Sequence, residues 1–440
     1  MNISEKSLKI LSRLNSAGYQ AYLVGGCVRD MLMENAAHDI DITTDAMPSQ
    51  VIEVFNEYDV ISTGIKHGTV TVIFEKTPFE ITTYRVDGCY SDSRRPDNVK
   101  FTSYLIEDLS RRDFTINSIA MDKSGIIVDP FNGVSDINKK IIRCVGSPRI
   151  RFSEDALRIM RAVRFSAQLG FQIDSETSTG VHEMREYLKH ISAERIRDEL
   201  DKIICGKNCV DVLLQYSDII TQIIPEFSPC IGFIQHSPYH RYDVWEHTVR
   251  AIDSAPKNNI KLRRVMLFHD IGKPECFRLD ENGRGHFDGH GIISAEKAHT
   301  IMRYLRYDNK SISDIITLIQ HHSDKIHSKI QLKKIISEIG AELTFDLLEI
   351  KKADNSAKQS FVLKEVEEIN KLEAMMHEII RSNECCTLSQ LAVNGDDLLC
   401  IGICGRSVGE ILSELLEIVI EDELPNDKDV LLKYVRRRYL

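Results

Sequence analysis

The chain has 440 residues, 42% hydrophobic and 28% charged, so at about 150 residues per domain it holds about three domains, which excludes a single small module or a disordered tail. Lysine and arginine number 56 against 66 acids, a net charge of −10, which excludes an indiscriminate nucleic-acid coat and leaves any RNA or DNA partner to a local basic patch. Eleven cysteines without a C-x-x-C knuckle, an N-terminus with no apolar signal core, and no apolar run of about 18 residues point to a reducing cytoplasm and no membrane.

In chain order, residues 1–138 mix short β-type runs with turns: AYLVGG, DIDIT, GTVTVIF and FEITTYR alternate or cluster apolar and β-branched residues. AYLVGGCVRDML reads as strand, glycine turn and helix. Gly25 and Gly26 let backbone N–H groups approach an anion, and Arg29 one turn later adds charge-assisted bonds; a plain tight turn is the alternative. In a strand, Asp39 and Asp41 of HDIDI project to one face, the arrangement that holds two divalent cations on a triphosphate; two solvated acids are the alternative. Glu80 of FEITTYR is a candidate third carboxylate or an edge-strand surface acid.

From residue 139 the apolar spacing changes to three and four. LRIMRAVRFSAQL, AERIRDELDKII, VWEHTVRAI, LRRVMLFHDIG, ISDIITLIQHH and VGEILSELLEIVI predict helices. The expected class is α+β, a mixed α/β head followed by an elongated all-α body. Breaks near 206–208, 227–229 and 381–383 lead to segments 1–138, 139–225, 226–380 and 381–440. In SEDALR, Asp155 and Arg158 stand three apart on one predicted helix, so they present an acceptor and a donor to one base edge, which suits cytosine and adenine and opposes uracil and guanine. Ser153 is the expected N-cap of that helix, with Glu154 and Asp155 in its first turn. Arg161 and Arg164 continue the series, but each step of three turns by about 60°, which directs Arg164 toward RNA or a structural carboxylate. Residues 139–164 carry eight lysines and arginines against two acids, a local +6. Together with Lys433, Arg436, Arg437 and Arg438 of KYVRRRYL they are candidate phosphate contacts, a solvated last turn being the alternative for the tail. Cys205/Cys209 and Cys400/Cys404 read as buried thiol pairs.

The glycine loop, the D-x-D and the later carboxylate resemble the nucleotidyltransferase superfamily head. LSRRDFTINSIAMD (109–122), DPFNGVSD (129–136), SEDALRIMRAVRF (153–165) and LAVNGDDLL near the C-terminus match in order the motifs of bacterial class II tRNA CCA-adding enzymes and their poly(A) polymerase relatives. The resemblance implies that Asp39 and Asp41 bind Mg²⁺ with Glu80 as a further catalytic carboxylate. Gly25, Gly26 and Arg29 would bind phosphates, Arg112 would touch the nucleotide, and Asp113 would accept from a ribose 2′-hydroxyl. It gives Asp155, Arg158, Arg161 and Arg164 to nucleotide binding. Against those roles, Arg111 reads as a plain surface base and Asn117 as a helix cap. The implied activity is template-independent addition of C, C and A to the 3′ end of tRNA from CTP and ATP, by two-metal nucleotidyl transfer that releases pyrophosphate. An A-adding tRNA nucleotidyltransferase or a poly(A) polymerase is the alternative within the family. Residues 86–101 look like the family's flexible loop, thought to help switch the pocket from C to A, and His38 stands where relatives often carry Lys or an aromatic.

A second constellation lies in 226–380. His247 on VWEHTVRAI, His269-Asp270 at the end of LRRVMLFHDIG and Asp354 in IKKADNSA resemble the HD superfamily of metal-dependent phosphohydrolases. The resemblance implies that these four hold a transition metal or Mg²⁺, with His290 and either His321 or His322 completing a second position. It opens a second, phosphohydrolase activity. It also opens a rival reading of the chain as an HD-type nucleotide phosphohydrolase with an RNA-binding head.

Overall fold

Runs of alternating β-branched residues become strands where one face can be buried. The computed structural model describes residues 3–36, 39–88, 99–238, 241–358 and 363–440; His38 and residues 89–98 of the 86–101 loop lie outside the described residues. The strands are β1 (Ala21–Val24), β2 (Asp41–Thr44), β3 (Asp59–Ile61), β4 (Thr69–Phe74), β5 (Thr77–Thr83), β6 (Arg85–Asp87), β7 (Val99–Phe101), β8 (Ala120–Met121) and β9 (Ile127–Val128). Seven form one mixed sheet in the order β3-β4-β5-β2-β1-β8-β9. Its β2–β5 pair is parallel, with Asp41 opposite Glu80, while β1 runs antiparallel to β2 and sets Val24 opposite Asp41. In β4 the period of two is plain, Val70, Val72 and Phe74 being buried between half-buried neighbours. Val24, Tyr84, Leu105, Leu109 and Ala120 form a core cluster behind the glycine turn.

Each of the six periodic segments downstream is a helix: Leu157–Leu169, Ala193–Ile204, Val244–Ser254, Ile260–Phe268, Asn309–His321 and Ser407–Ile420. Their apolar faces are buried, each fully covered Ile, Leu or Val contributing on the order of 2 kcal/mol. Local signals set the ends. Gly170, at φ 68°, closes Leu157–Leu169, and the Asp243 and Asp308 side chains cap the helices that follow them. The chain divides into two compact units, Met1–Pro225 and Glu226–Leu440. In the second, the C-terminal helix Lys428–Tyr439 is held by Leu431 and Val435 in a core with Val393, Leu398 and Leu415.

Three expectations fail locally. The single helix through SEDALR is two, Pro148–Glu154 and Leu157–Leu169, with Asp155 extended between them at φ −140°. The Asp155 Oδ1 accepts from the Leu157 N–H at 3.0 Å, so a short acid competes with the helix for its own backbone donors and breaks it. Ser153 is therefore no N-cap; its hydroxyl donates to the Ile150 carbonyl inside the first helix. Cys400 and Cys404 are exposed and Cys205 is half-buried, leaving Cys209 as the buried thiol of the four. Among the described residues no helix is long and apolar enough to cross a membrane.

Candidate functional sites

β1 ends at Val24 and the chain turns through Gly25 at φ 81°, ψ −137°, a conformation that glycine adopts without strain. A Cβ on Gly25 would stand 3.2 Å from Arg112 Nη1 and 3.6 Å from Asp41 Oδ2. Glycine turn, β2 and the 111–113 loop thus meet at one point. Asp41 is half-buried at the start of β2, and Glu80, its partner across the parallel ladder, projects from the same face. Asp39 precedes β2 and is not on the strand expected for it; like Glu80 it is exposed. Burial raises the Asp41 carboxyl above its usual range, Glu80 and Asp39 push the same way, and Arg112 opposes them. Asp41, Glu80 opposite it on the parallel ladder and Asp39 just before β2 offer hard oxygen donors of the kind a Mg²⁺-type cation takes.

Asp108, fully buried, fixes the arginines of the RRD motif. Its Oδ1 takes Arg111 Nε and Nη2 at 3.0 and 2.8 Å, and its Oδ2 takes Arg112 Nη2 at 3.4 Å and the Thr43 hydroxyl of β2 at 3.1 Å. Burial works against its charge, yet Arg111 and Arg112 hold it below the usual carboxylate range. Arg111 is therefore a paired residue and no plain surface base. Asp113 accepts from the Phe114 N–H at 2.8 Å, Asn117 Nδ2 at 3.2 Å and Arg161 Nε at 2.7 Å. Despite burial, Arg161 and Arg158 lower it to about 2. Arg29 packs inward beside Gly26, its guanidinium on Asp30 and on the Asn117 amide oxygen at 2.9 Å.

The helix break separates the two residues expected to act as a pair. Asp155 Oδ2 is held by Arg195 Nη2 at 2.9 Å, whereas Arg158 reaches Glu154 at 2.6 Å and the Arg111 carbonyl at 2.9 Å. Arg164 meets a structural carboxylate, Glu199, at 2.8 Å; burial lowers its guanidinium to about 10. The Arg164, Arg29 and Arg161 guanidiniums lie 4.0, 5.2 and 5.4 Å from the centre of the Phe165 ring. Asp108, Arg195 and Glu199 went unnoticed in the sequence. Their only sign was polar residues at four-residue spacing in AERIRDELDKII for the last two, and an acid four before Arg112 for the first. Of the eight cations counted between 139 and 164, Arg143, Arg149, Arg151, Arg158, Arg161 and Arg164 are ion-paired, so the local +6 is largely neutralised.

In the second unit the histidines and aspartates close on one another. His247 Nε2 lies 2.9 Å from Asp354 Oδ1 and 3.4 Å from Asp270 Oδ2, and His269 Nε2 lies 3.1 Å from Asp270 Oδ2. The other oxygen, Asp270 Oδ1, faces His290 Nε2 at 3.4 Å and His322 Nε2 at 3.7 Å. Two groups result, His247-His269-Asp270 and Asp270-His290-His322, each with ligand atoms within 4.8 Å of one another. His321 turns away to Asp324 at 2.7 Å, which decides between it and His322. His269, His290 and His322 each place Nδ1 on the carbonyl three residues back, Met266, Phe287 and Ile319, at 2.8, 2.7 and 2.6 Å. A carbonyl only accepts, so Nδ1 carries a proton in all three, and in the neutral ring Nε2 offers its lone pair, a state His269 reaches by giving up the second proton that Asp270 and Asp354 stabilise. His290 and His322 then aim two lone pairs at each other across 3.1 Å, while His269 Nε2 and Asp270 Oδ2 are buried with no aligned hydrogen-bond partner. Donors converging on shared points fit metal ions. Burial lowers His322 to about 4, whereas Asp270 and Asp354 overcome burial and raise His269 to about 9. Lys273 and Lys358 sit on Asp270 and Asp354 at 2.6 and 2.7 Å, at the edge of a cavity of about 680 Å³.

Residues 21–143 match the Poly A polymerase head domain. Residues 170–231 match the RNA and SrmB-binding site of polymerase A, and residues 291–435 match tRNA nucleotidyltransferase domain 2. The chain is 49% identical over 224 residues to a CCA-adding enzyme of Lactobacillus helveticus, 51% of this chain and 56% of that one. It is 51% identical over 217 residues to one of Oceanobacillus iheyensis, 49% of this chain and 54% of that one. It thus spans about half the length of the curated relatives it matches. A Bacillus stearothermophilus CCA-adding enzyme crystallised in complex with CTP superimposes with a TM-score of 0.74 at 28% identity, covering 99% of this chain and 98% of that one. A Thermotoga maritima CCA-adding enzyme complexed with tRNA_CCA shares the fold, with a TM-score of 0.59 at 19% identity over 98% and 94% of the two chains.

Proposed function

We propose that the chain is a tRNA nucleotidyltransferase that adds C, C and A to the 3′ end of tRNA from CTP and ATP, releasing pyrophosphate. The observation that carries this reading is the meeting of Asp41, Glu80, Gly25 and Arg112 at one point of the sheet, supported by likeness to CCA-adding enzymes solved with CTP and with tRNA_CCA. Asp39, Asp41 and Glu80 would hold Mg²⁺. Such cations would supply charge neutralisation for the triphosphate and acidify the primer hydroxyl, the chemistry of a two-metal transfer. Arg112, fixed by Asp108, steers the triphosphate toward the carboxylates; Gly25 and Gly26 leave room for phosphate oxygens and Arg29 braces their turn. Asp113 receives the sugar. Asp155, Arg158, Arg161 and Arg164 form the nucleobase side, where each arginine arrives already oriented by an acid. A base that leaves these groups unpaired is disfavoured.

Incubating the protein with tRNA lacking CCA and single NTPs tests this: C from CTP alone, A only after CC, and no U or G. Addition of A alone to tRNA ending in CC would favour the A-adding alternative, and long A tails on unrelated RNA a poly(A) polymerase. The exposed Lys433, Arg436 and Arg437 are our candidate tRNA contacts, whereas Arg438 is taken up by Glu414 at 3.0 Å. We further propose 1–138, 139–225, 226–380 and 381–440 as functional segments and a cytoplasmic location.

A second reading is favoured by the lone pairs converging around Asp270. We propose that His247, His269, Asp270 and Asp354, with His290 and His322, hold two divalent metal ions of the transition series or Mg²⁺. Such ions supply an activated water for phosphoester hydrolysis, and Lys273 and Lys358 would draw the phosphate in. The rival in which this is the chain's main activity and the head only binds RNA fails if Asp41→Ala abolishes nucleotide incorporation while His269→Ala spares it.

A further inference from the structure

Asn117 ends a short turn, Thr115–Asn117, where the sequence suggested a helix cap, and its side chain points inward instead, 6% exposed. Its Oδ1 accepts from Arg29 Nη1 at 2.9 Å and its Nδ2 donates to Asp113 Oδ1 at 3.2 Å. The amide orientation is dictated by its partners, since a guanidinium only donates and a carboxylate only accepts. One side chain thereby joins the helix of the glycine turn to the RRD loop, and through Asp113 to Arg161. Arg161 takes the Oδ2 side of Asp113 with both Nε and Nη2. The Oδ1 side is kept in place by the Phe114 N–H and Asn117. With Asn117 gone, the bidentate arginine turns the carboxylate toward itself, and Arg29 loses its link to the loop.

We propose that Asn117 is the positioning residue that aligns Asp113 with the nucleotide sugar and Arg29 with the phosphate turn, so that the preference for ribonucleotides depends on it. The inference rests on the nucleotidyltransfer reading. Asn117→Asp keeps the shape and the Arg29 acceptor but sets a second carboxylate against Asp113; Asn117→Ala removes both bonds. Loss of a hydrogen bond to a charged group predicts KM for CTP and ATP raised about tenfold with kcat little changed, and the NTP-over-dNTP preference narrowed about tenfold, in both variants. The full chain is assayed on tRNA lacking CCA with CTP against dCTP and ATP against dATP, and thermal unfolding is followed in parallel. Equal loss with both sugars, or no change in the ratio, overturns the proposal in favour of a structural role. A wild-type chain that incorporates nothing overturns the underlying reading as well. Preference lost in Asp113→Ala but kept in both Asn117 variants overturns this inference alone.

Discussion

The head carboxylates and the histidine cluster of the second unit are the two proposed cation sites, and they are arranged by opposite means. Asp39 and Glu80 are exposed and Asp41 half-buried on the sheet, and among the described residues the closed ligand groups are both in the second unit. There, His247, His269 and Asp270 are buried, and three imidazoles are locked by backbone carbonyls. A few carboxylates at a solvent-exposed face leave coordination to be completed by substrate phosphates and water, the habit of Mg²⁺. A buried cage of nitrogen and oxygen donors with fixed tautomers completes it from the protein. The contrast predicts a metal that arrives with the nucleotide in the first site and a resident metal in the second.

The largest expected effect separates the two outright. Asp41→Ala lowers nucleotide incorporation about thousandfold, and His269→Ala leaves it unchanged; a comparable loss in both would merge the sites into one machine. Gly25→Ala follows. A Cβ at positive φ, 3.2 Å from Arg112 Nη1, displaces the arginine and cuts incorporation about a hundredfold, since misplacement of about 1 Å has that order of effect. Metal retention is next: elemental analysis should find metal in the purified chain and in Asp41→Ala but not in His322→Ala. Chelation should cost the second unit about 3 kcal/mol at metal concentrations about a hundredfold above Kd, read as a drop in its unfolding midpoint.

Acid sensitivity sharpens the head side. Asp113 sits at about 2 against 3.8 for the free group, so its contribution of about 2 kcal/mol is present above the unfolded value and lost as the pH falls toward 2. Urea midpoints between pH 5 and pH 2 should show that loss in the wild type and not in Asp113→Asn. The smallest effect is at the tail: Arg436→Ala with Arg437→Ala weakens tRNA binding a few-fold and lowers its log-log salt slope by about 2.

Part of the candidate head site was legible in strand periodicity, although Asp39 precedes β2 instead of sharing a strand face with Asp41. Asp41 and Glu80 lie on predicted strands, and only their parallel pairing had to be seen. The nucleobase side was less so. Asp155 and Arg158 looked like neighbours on one helix, but the Asp155 carboxylate captures the Leu157 N–H, and Arg195 and Glu154 take the two as partners. The +6 of residues 139–164 was a sum over sequence neighbours, whereas its arginines pair with acids as distant as Asp113 and Glu199.

The sequence by itself determined the α+β order and most of the strands and helices, and it supplied the residues of both candidate sites, because periodicity and cap chemistry act within a few residues. The tertiary structure alone decided that His322 and not His321 faces Asp270 and that Asn117 bridges Arg29 and Asp113. Each of these choices depends on which donor meets which acceptor. That is set by the packing of elements far apart in the chain or by the facing of a single turn, which residue spacing does not encode.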